Sequence, residues 1–302
     1  MSLLLPALNT WLRLTEKPFL EAAEDIPAVR RSFEQKATLF FHPPAGSTFV
    51  ETNLAGRPSL LVNPVSKDGS EVSIFYLHGG AYLFGSPRTH RAMIARLCAE
   101  TRSQAVLPSY RLAPEDPFPC AVEDALAAYN AWRALHRHVV IGGDSAGGGL
   151  ALALLAEIGR LGLEPPLGAF AFSPLTDMTG TASSLRENAA ADVILPASRM
   201  TDIADLYLGQ QDAADPRASP LFADFKGAPP VWITVSNREI LLDDSMGMAQ
   251  RLTEQGVLAE LQVEHDLPHV WPIFQTYLPE ARVTLARLAQ WIRRLAAQAD
   301  GS

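Results

Sequence analysis

Apolar residues recur along this chain with two periods, one typical of strands and one typical of helices. Short apolar runs predict strands at residues 49–53, 59–63, 72–77, 104–108, 139–141, 167–172, 231–235 and 258–263. Helical periodicity follows most of them, at residues 88–101, 121–135, 150–156, 241–255 and 280–297. Strands that alternate with helices predict an α/β fold, a mostly parallel sheet of roughly eight strands with helices on both faces.

Two segments interrupt this alternation. The first forty residues have helical periodicity only, with a second helix expected to start near Pro27. Residues 175–228 contain turns and two helix-like pieces separated by Pro196. We therefore predict N-terminal cap helices at 1–45, an α/β core at 46–174 and 229–302, and an inserted cap segment at 175–228. A further turn is predicted at 67–70.

The run Gly143-Asp144-Ser145-Ala146-Gly147 matches the pattern G-x-S-x-G between a predicted strand and a strong helix-forming stretch. A nucleophilic serine needs such a turn, because its hydroxyl must stand exposed while other backbone passes close by. Glycine allows that approach since it has no Cβ. The following helix start adds free N–H groups beside the serine. Ser145 is the candidate nucleophile.

A nucleophilic serine also needs a base, an acid that orients the base, and donors for an oxyanion. In the order Ser, acid, His, the acid should follow the strand at 231–235 and the base the strand at 258–263. The spacing leaves alternatives open, namely Glu239, Asp243 and Asp244 for the acid and His265 and His269 for the base. The two aspartates also fit the first turn of a helix, where carboxylates favour the dipole.

Backbone donors are expected at another strand end. His78-Gly79-Gly80 follows the strand at 72–77, and such a run accompanies a nucleophile elbow. We predict that the N–H groups of Gly79, Gly80 and Ala146 hold the oxyanion.

Charge, hydropathy and cysteine content argue against several other classes of protein. The 302 residues carry a net charge of −8, which offers no electrostatic footprint for nucleic acid or an anionic membrane. No run is long and apolar enough to span a bilayer, and the N-terminus lacks a signal-peptide pattern, so we expect a soluble, cytoplasmic protein. Cys98 and Cys120 are expected to be buried free thiols. His136-Arg137-His138 has no carboxylate or cysteine directly beside it in the sequence that could complete a metal site. We therefore expect no metal and no cofactor.

These motifs together resemble the hormone-sensitive-lipase group (bacterial family IV) of α/β-hydrolase esterases. The resemblance extends from about residue 60 to the end. It rests on His78-Gly79-Gly80 with Gly85, Tyr110–Glu115, Gly143–Gly148, Asp215-Pro216-Arg217, Ser219-Pro220-Leu221, Glu239–Ser245 and Pro268-His269. It implies an α/β-hydrolase fold with a helical cap, Glu239 as the acid and His269 as the base. Many members carry Asp at the acid position. Glu is shared with relatives that resemble bacterial monoterpene lactone hydrolases.

The resemblance also bears on the substrate. It implies a serine carboxylesterase for short- to medium-chain esters or lactones. Ala81 stands where the family usually has a third glycine, and Asp144 is expected to support the elbow. We also expect Tyr82 and Asp144 to border the substrate pocket.

The alternative function is a non-catalytic small-molecule binder on the same fold, which the presence of His269 disfavours. An apolar edge strand at 258–263 would favour a homodimer.

Overall fold

The structure is a computed structural model that describes residues 2–63 and 71–300. Within these residues an eight-stranded sheet runs in the order β1-β2-β4-β3-β5-β6-β7-β8. The strands are β1 (Thr48–Leu54), β2 (Arg57–Asn63), β3 (Val72–Leu77), β4 (Gln104–Pro108), β5 (His138–Asp144), β6 (Gly168–Phe172), β7 (Val231–Ser236) and β8 (Ala259–Glu264). Only the β1–β2 and β2–β4 pairs are antiparallel. The predicted mostly parallel sheet is confirmed. The turn predicted at 67–70 lies outside the described residues.

Helices cover both faces of the sheet. They are α1 (Leu4–Glu21), α2 (Ile26–Phe40), α3 (Pro87–Thr101), α4 (Cys120–Arg133), α5 (Ser145–Arg160), α6 (Ser184–Glu187), α7 (Met200–Leu208), α8 (Leu242–Glu254) and α9 (Pro279–Asp300). Helices α4, α5 and α8 bury their apolar residues in the core on one face. Helices α3 and α9 do so on the other, together with Leu5 and Leu12 of α1. The α/β architecture is therefore the predicted one.

Burial along the strands explains their sequence patterns. Every residue of β3, β5, β6 and β7 is buried, as expected for central parallel strands covered on both faces. Strand β8 lies at the sheet edge, and Val263 on it is 39% exposed. The prediction of an edge strand is confirmed, whereas its pairing with a second copy stays a prediction.

Local signals account for where several elements begin. The Asp25 carboxylate accepts a hydrogen bond from Ala28 N at 3.1 Å, and this cap starts α2 one residue before Pro27. Ser86 and Thr89 form a capping box at the start of α3. The segment 175–228 contains α6, α7 and turns but no strand. The division into cap and core stays a prediction.

The two cysteines differ in burial. Cys98 and Cys120 are both free thiols, but only Cys98 is buried, because Cys120 begins α4 at its half-exposed end. In the part of the chain that the structure describes, no helix is long and apolar enough to cross a membrane.

Candidate active site

The candidate nucleophile sits on a strained turn. Strand β5 ends at Asp144, and α5 starts at once with Ser145, whose φ of +53° lies in the left-handed region. A β-carbon on Gly143 would collide with the carbonyl of Gly147, and one on Gly147 would collide with the carbonyls of Leu77 and His78. Only glycine fits at these two positions. The turn therefore presents a half-buried Ser145 at the carboxyl edge of the sheet, the geometry of a nucleophile elbow.

A carboxylate and an imidazole meet near this elbow. Glu239 follows β7, His269 follows β8, and Glu239 Oε2 lies 2.5 Å from His269 Nδ1. The other oxygen, Oε1, accepts hydrogen bonds from Ser236 N at 2.7 Å and from Ser173 Oγ at 2.8 Å. Both carboxylate oxygens thus have partners, although the side chain is only 1% exposed. Such a pair holds the ring in one tautomer, with the proton on Nδ1 and Nε2 left as the basic nitrogen.

The electrostatic surroundings favour a basic His269. Burial by itself lowers the pKa of the imidazole. The negative charge of Glu239, its hydrogen bond and the charges of Asp192 and Asp144 outweigh burial, and the pKa is raised above its ordinary value. The ring is therefore a better proton acceptor than a free histidine.

The other acid and base candidates lie elsewhere. Asp243 Oδ2 accepts hydrogen bonds from Ser183 Oγ at 2.8 Å and from Ser184 N at 2.9 Å. Asp244 is 2% exposed and accepts from the N–H groups of Thr176 and Asp177 at 2.6 and 3.0 Å. Both aspartates stand in the first turn of α8, as expected, yet their partners are in the predicted cap insert rather than in solvent.

Among the described residues, His265 forms no ion pair with a carboxylate. Its ring lies 3.2 Å from the Asn237 amide on an exposed stretch. Of the alternatives that the spacing left open, Glu239 and His269 are the pair that the structure brings together.

Ser145 and His269 line the same cavity without being hydrogen-bonded to each other. Within the described residues, the Ser145 hydroxyl makes no hydrogen bond, and both side chains border one apolar cavity. Catalytic hydrogen bonds are often long before substrate binds, so this separation is compatible with proton transfer.

The backbone after β3 has free N–H groups that could bind an oxyanion, but they lie one residue further along the chain than predicted. Gly79 N donates to Asp144 Oδ1 at 2.9 Å and is therefore already engaged. This corrects the expectation that Gly79 serves an oxyanion. The next N–H groups, of Gly80 and Ala81, have no acceptor among the described residues, and both residues line the Ser145 cavity. The Ala146 N–H, in the first turn of α5, is also free of an intrahelical partner.

Asp144 ties the elbow to this glycine loop. Besides Gly79 N, it accepts from Tyr76 Oη at 2.7 Å and lies 3.2 Å from His90 Nε2. Burial raises the pKa of Asp144, but His90, Tyr76 and the Gly79 N–H outweigh it and lower the pKa overall. Asp144 borders the cavity, yet its oxygens are occupied by Tyr76, Gly79 and His90.

Two further residues of the loop are structural. Burial lowers the pKa of His78 to about 3, with a contribution from His90, so the ring is neutral. It stacks on Tyr110 at 4.3 Å between ring centroids. Tyr82 is 1% exposed and stacks on Tyr207 at 3.8 Å. The prediction that Tyr82 borders the substrate pocket is therefore wrong, since the loop turns its ring into the core.

The cavity beside Ser145 has a volume of about 580 Å³. Its wall consists mainly of apolar side chains from α1 and α2, including Trp11, Phe19, Phe33 and Phe40, and from residues 270–278. An ion pair of Glu16 and Lys36, 2.8 Å apart, joins the two helices on this wall. Among residues 2–63 and 71–300, no cluster of His, Cys, Asp or Glu is arranged to hold a metal ion.

Sequence reasoning missed several residues around the acid–base pair. Ser173, after β6, donates to Glu239. Asn188 and Asp192, from the predicted cap insert, contact the loop that carries Glu239. No motif marks these positions. Their only signal would have been polar residues beside an apolar stretch, a pattern that is common on any surface.

Comparisons with known proteins agree with this architecture. Residues 74–273 match a family model described as an α/β-hydrolase fold. The chain is 34% identical over 238 residues to an acetyl-hydrolase of Streptomyces hygroscopicus, covering 77% of this chain and 78% of the relative. A crystal structure of an esterase/lipase from an uncultured bacterium has a TM-score of 0.91 at 35% identity, covering 98% of this chain and 100% of that one. An esterase described as bacterial hormone-sensitive lipase family has a TM-score of 0.91 at 33% identity, covering 98% and 99%. This chain therefore belongs to the α/β-hydrolase family, in the group of the bacterial hormone-sensitive-lipase esterases.

Proposed function

We propose that this chain is a carboxylic ester hydrolase with Ser145 as nucleophile, His269 as general base and Glu239 as the acid that orients the base. The hydrogen bond of 2.5 Å between Glu239 Oε2 and His269 Nδ1, on the cavity that also contains Ser145, carries this proposal. Esterase and acetyl-hydrolase relatives agree with an ester as the substrate.

The proposed reaction is acyl transfer in two stages. His269 Nε2 takes the proton of Ser145 as Oγ attacks the ester carbonyl, and the imidazolium is stabilised by Glu239. The N–H groups of Gly80, Ala81 and Ala146 hold the oxyanion. Collapse releases the alcohol, which leaves with the proton from His269, and an acyl-enzyme remains. Water then attacks that ester while His269 takes its proton, and His269 returns the proton to Ser145 Oγ as the carboxylic acid leaves.

Ala81 in this set is a consequence of the Gly79 hydrogen bond. Because Gly79 N is bonded to Asp144, the donors move one residue along the loop. Ala81 has a φ of +56°, and Gly80 has a φ of +122°. This left-handed backbone turns successive N–H groups away from the strand direction and leaves them without internal acceptors.

The cavity limits the substrate class. A space of about 580 Å³ with an apolar wall suits an ester or lactone that has an apolar acyl or alcohol part. Each methylene placed there contributes up to about 0.8 kcal/mol, or roughly fourfold in kcat/KM. We expect kcat/KM for nitrophenyl esters to rise from acetyl to hexanoyl and to fall well before palmitoyl. A palmitoyl optimum would contradict this range.

The nucleophile is tested by Ser145→Ala. Removing it should lower turnover of nitrophenyl butyrate by several orders of magnitude, because loss of a nucleophile disables the whole mechanism. A stoichiometric acyl adduct on the wild type, located on Ser145 by mass spectrometry, is the second expected result. Ser47→Ala, in the loop before β1, is the matched control and should retain full activity. A folded Ser145→Ala that keeps more than about one per cent of the rate would refute the assignment.

The same experiment separates this proposal from a non-catalytic binder. A binder would show neither a burst of nitrophenol nor an adduct, and Ser145→Ala would leave its ligand affinity unchanged.

A further inference from the structure

One stretch of the predicted cap insert is hydrogen-bonded to the loop that carries Glu239. We name residues 183–195 the clamp segment and residues 237–241 the acid loop. Asn188 Nδ2 donates to the carbonyls of Asn237 and Glu239, at 3.1 and 2.8 Å. Ser184 Oγ donates to Ile240 O at 2.7 Å. The acid loop is thus bonded through its backbone to a segment about fifty residues earlier in the chain.

Asp192 makes the contact from the other side. Its Oδ2 accepts the N–H of Ile240, the residue after Glu239, at 3.1 Å. Its Oδ1 accepts the N–H groups of Ile194 and Leu195, both at 2.9 Å. The side chain is 2% exposed. Both oxygens accept N–H groups, an arrangement that favours the ionised carboxylate because that form is an acceptor at both oxygens.

Burying a second carboxylate beside Glu239 is costly unless something compensates it. The pKa of Asp192 is raised overall, because burial raises it most and Glu239 adds to the rise, although His269 and the N–H groups of Leu195 and Ile194 oppose this. Asp192, Glu239 and His269 also border one narrow gap. An asparagine could accept the N–H groups of Ile194 and Leu195 equally well without placing a charge beside Glu239. A charge that faces the imidazole would favour the cation formed during catalysis.

The clamp segment is itself held by the helix that lines the substrate cavity. Lys17 Nζ, on α1, donates to the carbonyls of Ala189 and Asp192 at 2.6 and 2.8 Å. Arg13 Nη2 lies 3.4 Å from Ala191 O. The cavity wall, the clamp segment and the acid loop therefore form one connected set of hydrogen bonds.

We propose that Asp192 is a positioning residue for the acid–base pair, acting with Asn188 to hold the acid loop and placing a second buried negative charge toward His269. This inference rests on the proposed function, because it concerns how Glu239 serves His269. The charged groups that face His269 are Glu239 from the acid loop, Asp192 from the clamp segment and Asp144 from β5.

The test compares two Asp→Asn changes in the same insert. Asp192→Asn keeps the size of the side chain but removes the charge and one acceptor. Asp177→Asn is the control, because among the described residues this 7%-exposed carboxylate bonds only within its own turn, to Thr179 and Thr181. We expect Asp192→Asn to lower kcat about ten- to a hundredfold, as small misplacements of catalytic groups do, with KM within about threefold. The pH below which kcat/KM falls, the acid limb of its pH profile, should also move to lower pH, because His269 loses a neighbouring negative charge.

A merely structural role would not produce that pH shift. A folded Asp192→Asn with the kcat and acid limb of Asp177→Asn would overturn the proposal. If Asp192→Asn does not fold, Asn188→Ala serves in its place, since it removes the bonds to the Asn237 and Glu239 carbonyls and leaves all charges. It should lower kcat about tenfold without moving the acid limb, and an unchanged kcat would overturn the proposal.

A separate readout distinguishes failure of this inference from failure of the proposed function. A fluorophosphonate probe should label wild-type Ser145 and label Asp192→Asn more slowly. If the wild type is not labelled, the proposed function fails. If both label at equal rates, only the role of Asp192 fails.

Discussion

The two halves of the candidate site are held in place by different means. Ser145 and the glycine loop are fixed by strand ends and by close backbone approach, as at Gly143 and Gly147. Glu239 and His269 are fixed by side-chain hydrogen bonds from distant segments, among them Ser173, Asn188 and Asp192. The first half comes from two stretches of chain, each marked by glycines that close backbone contact requires, and the second is assembled from four separate stretches.

This difference explains which half leaves a motif. Where two stretches of backbone must approach closely, only glycine fits. The sequence therefore has glycines at fixed positions around the serine. A hydrogen bond to a loop carbonyl can come from many side chain types in many segments. The sequence around the donor therefore has no motif that predicts the bond. The nucleophile half should therefore fail abruptly on a small change, and the acid–base half should fail in graded steps.

The largest effect is expected at Gly147. Gly147→Ala would place a methyl against the carbonyls of Leu77 and His78, and neither backbone can move cheaply. We expect little folded protein or none, measured by thermal unfolding of the soluble fraction. Gly159→Ala, at the other end of the same helix, has open space around it and should stabilise by about 0.5–1 kcal/mol. Equal stability of the two variants would contradict the account of the elbow.

The next effect concerns the acid. Glu239→Gln should lower kcat by about several hundredfold or more, because the amide can hold His269 in the wrong tautomer. The control is Glu264→Gln at the end of β8, where the carboxylate pairs with Arg287 at 2.6 Å on the surface. It should keep wild-type kcat. An inactive Asp243→Asn together with an active Glu239→Gln would transfer the acid role to Asp243.

A smaller effect tests how the predicted cap insert is attached to the helix that starts at Leu242. Burial raises the pKa of Asp244 to about 7, although the N–H groups of Thr176 and Asp177 oppose this. Because the folded pKa lies above the ordinary value near 3.9, the native state binds more protons between roughly pH 4 and 7. Stability from this group is present at low pH and is lost as pH rises through that window.

Asp244→Asn should therefore gain stability relative to wild type as pH rises. Asparagine Oδ1 can still accept both N–H groups, since both bonds fall on Oδ1. Between pH 5 and pH 8 the difference in free energy of unfolding should change in favour of the variant by on the order of 2 kcal/mol. Urea unfolding at both pH values measures it. A difference that is the same at both values would show that Asp244 does not titrate in this window.

The smallest expected effect is the position of the acid limb in the wild type. In the proposed mechanism His269 must be neutral to accept the serine proton, and Glu239 and Asp192 raise its pKa. The fall in kcat/KM on the acid side should therefore be centred above the ordinary histidine value of ~6.5. The pH profile of nitrophenyl butyrate hydrolysis checks this. A limb centred below that value would mean that burial outweighs the two carboxylates.

The sequence by itself determined the strand order along the chain, the elbow and the HGG loop. All eight predicted strands overlap observed ones, because buried parallel strands need continuous apolar runs. The candidate nucleophile also followed from local pattern, since strand, glycine turn and helix are adjacent in the chain. The spacing left the choice among Glu239, Asp243 and Asp244 open, and family resemblance favoured Glu239.

Only the tertiary structure decided which carboxylate meets His269, because three candidates within six positions differ in direction and not in pattern. It also assigned Gly79 to Asp144, turned Tyr82 into the core and brought Asn188 and Asp192 against the acid loop. These outcomes depend on where side chains point once distant segments have packed. A hydrogen bond between residues about fifty positions apart is set by that packing, and no local period encodes it.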